Sequence, residues 1–141
     1  MGVRIAPADS RDRNSVVALW QAAGLTRPWN DPGDDFDLAM SNPTSSILLA
    51  RHGLALVGSV MVGFDGHRGW VYYLACDPEQ RGKGIGRALM AAAEAWLRAR
   101  DCPKIQLMVR IDNSTAKGFY AAIGYTEQDV ITIGRRLDSE A

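Results

Sequence analysis

The fold of this chain is decided by the stretch Leu74-Ala75-Cys76-Asp77-Pro78-Glu79-Gln80-Arg81-Gly82-Lys83-Gly84-Ile85-Gly86-Arg87. An aromatic and β-branched run over residues 70–76 predicts a strand before the junction, and an apolar stripe over residues 87–100 predicts a long helix after it. Three glycines in the junction allow positive φ angles and a close approach of the backbone to a ligand. The unpaired N–H groups of the first helical turn, together with the helix dipole, then form a site for an anion.

Arg81, Lys83 and Arg87 add three positive charges to this junction. A glycine turn with solvated basic side chains is the alternative explanation, but strand, glycines, cations and helix together favour binding of a phosphate group. The spacing excludes two common phosphate motifs. A P-loop requires Ser or Thr after Gly-Lys, where this chain has Gly84, and a dinucleotide fingerprint requires Gly where it has Arg87 or Leu89.

Outward from the junction, the periodicity predicts an α+β domain with the element order αα-βββ-α-β-α-β around one sheet. No linker and no internal repeat divides residues 1–141, so we expect a single domain. The other predicted elements are a helix between a cap at Asp9 or Ser10 and Gly24, a short helix at 34–41, strands at 46–51, 55–64 and 105–109, a helix from Asn113 or Ser114 to Gly124, and a final strand from Tyr125 to about Leu137.

Length and charge limit the classes of function. A chain of 141 residues that is 47% hydrophobic and 23% charged has the composition of an ordinary globular domain. Sixteen basic and sixteen acidic side chains cancel, which disfavours binding dominated by nucleic acid or by an anionic membrane. Two cysteines and two histidines without CxxC or HExxH spacing disfavour a disulfide framework and a metal site. No apolar run approaches the ~20 residues that span a bilayer, so we expect a cytoplasmic protein with reduced thiols.

The segment Arg81-Gly82-Lys83-Gly84-Ile85-Gly86 matches the pattern (Q/R)-x-x-G-x-(G/A), and it resembles the pyrophosphate loop of the GNAT superfamily of acetyl-CoA-dependent N-acetyltransferases. Downstream, Asn113-x-x-Ala116-x-x-Phe119-Tyr120-x-x-x-Gly124-Tyr125 resembles the second cofactor motif of that superfamily, and the two motifs span residues 69–126. The turns at 27–32 and 65–69 also resemble those of a small bacterial subgroup represented by the YpeA acetyltransferase. The resemblance implies a central mixed, mostly antiparallel sheet flanked by helices, with splayed strands forming the acetyl-CoA cleft.

For the site, the resemblance implies a role for each matching residue. The backbone groups of Leu74, Ala75 and Cys76 pair with the pantetheine arm, and an N–H there polarises the thioester carbonyl. The amides of residues 81–86 bind the pyrophosphate, and Lys83 or Arg87 reaches the phosphates. The second motif adds cofactor-binding residues, namely Asn113, Ala116 and Phe119.

Tyr120 is the candidate general acid, which protonates the departing thiolate; the alternative is that it only forms the edge of a core helix. Asn113 binds the pantetheine, caps its helix, or does both. Cys76 is expected to be a packed, inert thiol in preference to an acyl carrier.

The group that deprotonates the acceptor amine is left open. Residues 70–76 and 105–109 hold no carboxylate where many relatives place a glutamate, so Asp65 and His67 are the nearest titratable candidates. The default is a water relay or an amine that is already deprotonated in bulk solvent. Either residue is also explained as an ordinary turn or surface residue. Strict strand alternation predicts that Tyr72 and Tyr73 lie on opposite faces. The predicted acceptor pocket includes Trp29, Asn30, His67 and Tyr72.

The sequence thus predicts an enzyme that transfers the acetyl group of acetyl-CoA to a primary amine by direct attack in a ternary complex, without a metal. A non-catalytic acyl-CoA-binding sensor is the main alternative, because the glycine loop can persist after acceptor chemistry is lost. The acceptor is a small-molecule or peptide amine that the sequence does not identify. Many relatives form dimers, which makes a homodimer one of the alternatives for assembly.

Overall fold

The computed structural model describes residues 2–138 and contains, within that range, one five-stranded sheet in the order β1-β2-β3-β4-β5. Its strands are β1 Arg4–Pro7, β2 Ser45–His52, β3 Ala55–Phe64, β4 Gly69–Cys76 and β5 Ile105–Leu107. The α-helices in the same range are α1 Arg13–Ala22, α2 Pro32–Met40, α3 Ile85–Arg98 and α4 Ser114–Ala122. The chain divides into two units, Met1–Met108, which holds the sheet and α1 to α3, and Val109–Ala141, which holds α4.

The sheet is mixed and mostly antiparallel, as predicted. Neighbouring strands from β1 to β4 pair antiparallel, and among the described residues only the β4–β5 pair is parallel. The predicted element order omitted β1, which has four residues, ends in Pro7 and is largely exposed. A short, exposed edge strand carries no alternating apolar pattern, so periodicity cannot detect it.

Most helix and strand bounds lie within two or three residues of the predicted ones. Asp9 caps a 3₁₀ turn at Ser10–Asp12 before α1 begins, and Asp31 caps α2 by accepting hydrogen bonds from the N–H groups of Gly33 and Asp34. The helix α3 begins at Ile85, two residues before the predicted start, and β5 ends at Leu107, two residues before the predicted end.

The sheet is buried on both faces. On one face, α1 and α2 enclose a core cluster that includes Trp20, Phe36, Ile47 and Leu49. Residues that alternate with these along β2, such as Leu48, are buried as well but lie outside this cluster, so they face the opposite side, which α3 covers. Four consecutive buried residues in β2 follow from this two-sided packing.

Two glycines in the sheet bring α3 close to the strands. A Cβ atom at Gly58 would lie 2.8 Å from both Ile85 Cγ2 and Leu89 Cδ1, and one at Gly69 would lie 2.5 Å from Leu97 Cδ1. The buried stripe of α3 therefore rests directly on the backbone of β3 and β4. Because Gly58 stands opposite Cys76 in the ladder, this contact fixes the beginning of α3 at the end of β4.

The predicted final strand is not found among the described residues 125–138, which hold no assigned strand. The apolar side chains that suggested it, Val130, Ile131 and Ile133, are 75%, 83% and 87% exposed. The strand propensity of β-branched residues comes largely from packing against neighbouring side chains, so a prediction from residue type alone overstates it where the residues are exposed. Within residues 2–138, no helix has the length and apolar character needed to cross a bilayer.

We predict that Gly58→Ala lowers the free energy of unfolding by about 1–3 kcal/mol, because the new methyl group overpacks the interface with α3. Besides the two α3 side chains, it would lie 3.0 Å from the carbonyl oxygen of Ala75. Urea denaturation measures the change. Gly118→Ala is the matched control, since nothing lies within 4 Å of its added Cβ in α4, and it should stabilise the protein slightly. Equal stability of Gly58→Ala and the wild type would contradict the packing.

Candidate active site

The strands β4 and β5 separate after three paired residues. Their parallel pairing runs from Gly69 opposite Ile105 to Val71 opposite Leu107, whereas β4 continues to Cys76. Within the described part of the first unit, β4 therefore has no strand partner on the β5 side from Tyr72 onward. The sheet is open at this point, and the backbone of Leu74, Ala75 and Cys76 lies along this open edge.

A β-bulge interrupts β4 at the start of the open edge. The pairing with β3 shifts between residues 72 and 75, so that Tyr73 and Leu74 together oppose Val60. Tyr73 has a φ of 53°, a left-handed conformation that few residues other than glycine adopt. The extra residue changes the direction of every backbone group that follows it.

Two hydrogen bonds show this change of direction. Before the bulge, the N–H of Gly69 donates to the carbonyl oxygen of Lys104 at 2.8 Å, on the β5 side. After the bulge, the N–H of Asp77 donates to the carbonyl oxygen of Val57 at 2.9 Å, on the β3 side. Both donors occupy odd positions in the chain, so regular alternation without an inserted residue would point them the same way.

The bulge therefore selects the amides of the open edge. Because Asp77 points toward β3, alternation points Ala75 toward β3 as well and turns the N–H groups of Leu74 and Cys76 toward the open side. Without the extra residue, Ala75 would face the opening in their place. Two N–H groups on an edge without a strand partner are suited to hydrogen bonding with an extended ligand that carries carbonyl groups.

The bulge also corrects one prediction made from alternation. Tyr72 pairs with Met61, and both Met61 and Tyr73 pack against the core cluster under α1 and α2. Paired residues share a face, so Tyr72 and Tyr73 lie on the same face and not on opposite ones. Tyr72 is 44% exposed there, whereas the ring of Tyr73 stacks on Trp20.

The loop after β4 has the backbone geometry of an anion site. Gly82 and Gly84 have φ angles of 80° and 78°, and a Cβ atom at either position would meet nothing within 4 Å. These glycines are thus required by the backbone conformation and not by crowding. Within residues 2–138, no backbone N–H from Arg81 to Arg87 donates a hydrogen bond to a protein group. The first turn of α3 adds its dipole to these amides.

The cations of the loop are exposed. Lys83 Nζ donates to Gln80 Oε1 at 3.0 Å, and neither Lys83, Arg81 nor Arg87 forms an ion pair with a carboxylate of the described residues. The side chain of Ile85 is buried in the core and anchors the loop to the sheet. This part of the chain combines positive side chains, unoccupied N–H groups and a helix start, as a phosphate ligand requires.

Cys76 lies half-buried at the end of the open edge. Its thiol donates a weak hydrogen bond to the carbonyl oxygen of Asp77, with the sulfur 3.6 Å away. Burial, with a smaller contribution from the negative charge of Asp77, raises the pKa of the thiol above its ordinary value. A thiol with a raised pKa is a poor nucleophile at neutral pH.

In the second unit, α4 contains the residues of the downstream motif. Asn113 Oδ1 accepts a hydrogen bond from the N–H of Ala116 at 3.0 Å, so Asn113 caps the helix as predicted. Tyr120 makes edge-to-face ring contacts with Phe119 and Tyr125, at centroid distances of 5.0 and 5.9 Å. Burial raises the pKa of Tyr120 to about 12, so its hydroxyl keeps its proton at neutral pH.

The turn between β3 and β4 holds the candidates for the base. Asp65 Oδ1 accepts hydrogen bonds from the N–H groups of Arg68 and His67, at 2.7 and 2.8 Å. These two bonds, that from Arg68 first, lower the pKa of the Asp65 carboxyl, which weakens it as a base. Trp29 and Asn30, predicted to line the acceptor pocket, lie exposed in the connection between α1 and α2.

A network around the bulge was not predicted from the sequence. The Tyr73 hydroxyl donates to Asp35 Oδ2 at 2.6 Å, and the Tyr73 ring stacks on Trp20 at a centroid distance of 3.8 Å. Trp20 Nε1 donates to Ser59 Oγ at 2.9 Å, and the Ser59 hydroxyl donates to the carbonyl oxygen of Tyr73 at 3.0 Å. The available signal was Ser59 itself, a polar residue within an apolar strand.

Known proteins that this chain resembles in sequence are acetyltransferases. Residues 14–125 match the model of the acetyltransferase (GNAT) family. The chain is 45% identical over 137 residues to a protein from Pectobacterium atrosepticum named an acetyltransferase, covering 97% of this chain and 96% of that protein.

Solved structures share the fold at low sequence identity. One is AAC(6')-Iy in complex with the bisubstrate analogue CoA-S-monomethyl-acetylneamine, with a TM-score of 0.83, 13% identity, and coverage of 96% of this chain and 99% of that one. Another is a ribosomal-protein-alanine N-acetyltransferase from Brucella melitensis, with a TM-score of 0.78, 22% identity, and coverage of 96% and 100%.

Proposed function

The chain belongs to the GNAT family of acetyltransferases, and from this premise we propose that it transfers the acetyl group of acetyl-CoA to a primary amine by direct attack in a ternary complex. The observation that carries the proposal is the continuity of the open edge of β4 with the loop of unoccupied amides before α3. In this proposal, residues 1–141 form one acetyltransferase domain.

The fit to the cofactor follows from the two parts of this surface. Acetyl-CoA supplies an acetyl group activated as a thioester. The amides of residues 81–86 bind its pyrophosphate, while Lys83 or Arg87 neutralises phosphate charge. The outward N–H groups of Leu74 and Cys76 bind the pantetheine arm, and one of them polarises the thioester carbonyl. Such a preorganised donor contributes about 10²–10³ in rate.

The second unit supplies the proposed proton donor. Tyr120 protonates the leaving thiolate in this proposal, since its hydroxyl carries a proton at neutral pH. Asn113, Ala116 and Phe119, which match the cofactor motif, contact the same ligand in this proposal. The cap formed by Asn113 Oδ1 leaves its NH₂ group available for a ligand carbonyl.

The acceptor amine loses its proton to water in this proposal. Asp65 already accepts two backbone hydrogen bonds and has a lowered pKa, so the turn is its better-supported role. Trp29, Asn30, His67 and Tyr72 form the proposed acceptor pocket. The proposed acceptor is a small-molecule or peptide amine. Both classes occur among the names of the structural relatives, one bound to an acetylneamine analogue and one named for alanine of a ribosomal protein.

Three finer assignments belong to the same proposal. The turns at residues 27–32 and 65–69 support membership of the YpeA-like bacterial subgroup. Cys76 and Cys102 are free thiols, which supports a cytoplasmic location. A homodimer is the proposed assembly, on the resemblance to dimeric relatives alone.

An amine-panel assay tests the proposed function. Purified protein and acetyl-CoA are incubated with polyamines, amino acids, aminoglycosides and short peptides, and both thiol release and the mass of the product are measured. We expect a mass gain of one acetyl group on at least one amine. Binding of acetyl-CoA by calorimetry without any transfer would favour the sensor alternative and reject the enzyme.

We predict that Gly84→Asp weakens acetyl-CoA binding by about 100-fold or more, because a carboxylate enters the site of the pyrophosphate. Gly84→Asn is the matched control: its side chain has nearly the same shape, tolerates the positive φ and carries no charge. Isothermal titration calorimetry should show an intermediate loss for this variant. Equal affinities of the Asp and Asn variants would place the phosphates elsewhere.

We predict that Tyr120→Phe lowers kcat about 10²-fold at saturating acetyl-CoA, while KM for acetyl-CoA changes little. Only the hydroxyl is removed, so the ring contacts with Phe119 and Tyr125 persist and the fold is retained. Since the raised pKa keeps the wild-type hydroxyl protonated, the same factor is expected at neutral and mildly alkaline pH. An unchanged kcat would exclude Tyr120 as the acid.

A further inference from the structure

The left-handed conformation of Tyr73 is held from both ends of the residue. At the backbone end, its carbonyl oxygen accepts a hydrogen bond from the Ser59 hydroxyl at 3.0 Å. At the far end, its phenol hydroxyl donates to Asp35 Oδ2 at 2.6 Å. Between the two, the ring lies on Trp20, inclined by only 11°. These contacts fix the peptide and the side chain together.

Ser59 is specialised for this contact. It is fully buried, and it is the one buried polar or charged residue among residues 2–138. Trp20 Nε1 donates to Ser59 Oγ, so the hydroxyl uses an acceptor position for Trp20 and directs its own proton to the Tyr73 carbonyl. A bulge leaves backbone groups without ladder partners, and here a buried serine replaces the missing partner.

The far end of Tyr73 is anchored to the first two helices. Asp35 belongs to α2, and Trp20 belongs to α1. Burial and the hydrogen bond to Asp35 raise the pKa of Tyr73 well above its ordinary value, so the phenol remains a donor to the carboxylate. The bulge is thus tied to both helices that cover this face of the sheet.

We propose that Tyr73, Trp20, Ser59 and Asp35 form a bulge lock, a set of positioning residues that holds β4 in the register presenting the amides of Leu74 and Cys76 to the thioester. The lock touches no substrate and acts through the backbone of β4. It rests on the proposed function, in which one of those amides polarises the thioester carbonyl. Loss of the lock lets the strand relax toward regular alternation, which turns these amides toward β3 and brings Ala75 to the open edge.

Two substitutions at Tyr73 separate backbone positioning from packing. Tyr73→Ala and Tyr73→Gly both remove the ring and the hydroxyl, but only glycine adopts a φ of 53° without strain. We expect kcat to fall about 100-fold in Tyr73→Ala, as for the loss of an oxyanion donor. In Tyr73→Gly we expect the donor to be partly recovered, so that kcat falls by no more than about tenfold. The measurement is kcat with an amine found in the panel, alongside KM for acetyl-CoA.

The positive φ makes Tyr73→Gly the less strained variant in either case, so kcat is compared per folded molecule. A packing role alone then predicts equal kcat in Tyr73→Gly and Tyr73→Ala, because both variants lose the same ring and hydroxyl contacts. That result overturns the bulge lock while leaving the proposed function intact. Absence of acetyl transfer by the wild-type protein with every amine rejects the proposed function instead, so the two failures are distinguishable.

Two further variants keep the test valid if the Tyr73 variants are poorly folded. Ser59→Ala removes one oxygen atom, and we expect about a tenfold lower kcat with KM for acetyl-CoA little changed. Leu19→Ala removes buried volume from the same core cluster but no contact of the lock, so it should lower the thermal midpoint and leave kcat of the folded protein unchanged. An unchanged kcat in Ser59→Ala, or an equal loss in Leu19→Ala, overturns the proposal.

Discussion

The direction of the backbone amides along β4 reverses at the bulge, and the chemistry available at the open edge depends on that reversal. Gly69 donates toward β5 and Asp77 donates toward β3, although regular alternation would point both the same way. A single inserted residue therefore decides that Leu74 and Cys76, and not Ala75, present N–H groups to the opening. No side chain at the edge has to change for this choice to be made.

The position of the glycine loop follows from the same part of the sheet. Gly58 stands opposite Cys76, and its missing side chain lets Ile85 and Leu89 of α3 rest against β3. The start of the helix is thus held beside the last residue of the open edge. Asp77 caps the 3₁₀ turn Pro78–Gln80 between them, so the connection is short and ordered by its own hydrogen bonds. Amides for an extended ligand and amides for an anion follow one another along one stretch of chain.

The sequence predicted the parts of this arrangement that depend on local patterns. The strand predicted at 70–76, the glycine loop and the amphipathic α3 each have a signature in residue type and spacing. The bulge has none, because Tyr73 is a favourable strand residue whose left-handed φ results from tertiary contacts with Ser59 and Asp35, 14 and 38 residues away in the chain. The prediction of a final strand was wrong for the opposite reason: its β-branched residues have strand propensity but remain exposed.

Glycine would adopt the φ of Tyr73 without strain, so the presence of tyrosine requires another explanation. A left-handed tyrosine costs about 1–2 kcal/mol, which a stacked aromatic pair and two hydrogen bonds, at about 0.5–1.5 kcal/mol each, are sufficient to offset. A glycine bulge would be unstrained but also free to relax, whereas a hydrogen-bond donor assists acyl transfer only if it is already in place when charge develops. Tyrosine gives the bulge an anchor in α1 and α2, the helices on either side of Trp29 and Asn30. In the proposed function, the elements that flank these two acceptor-pocket residues therefore also hold the amides that face the thioester.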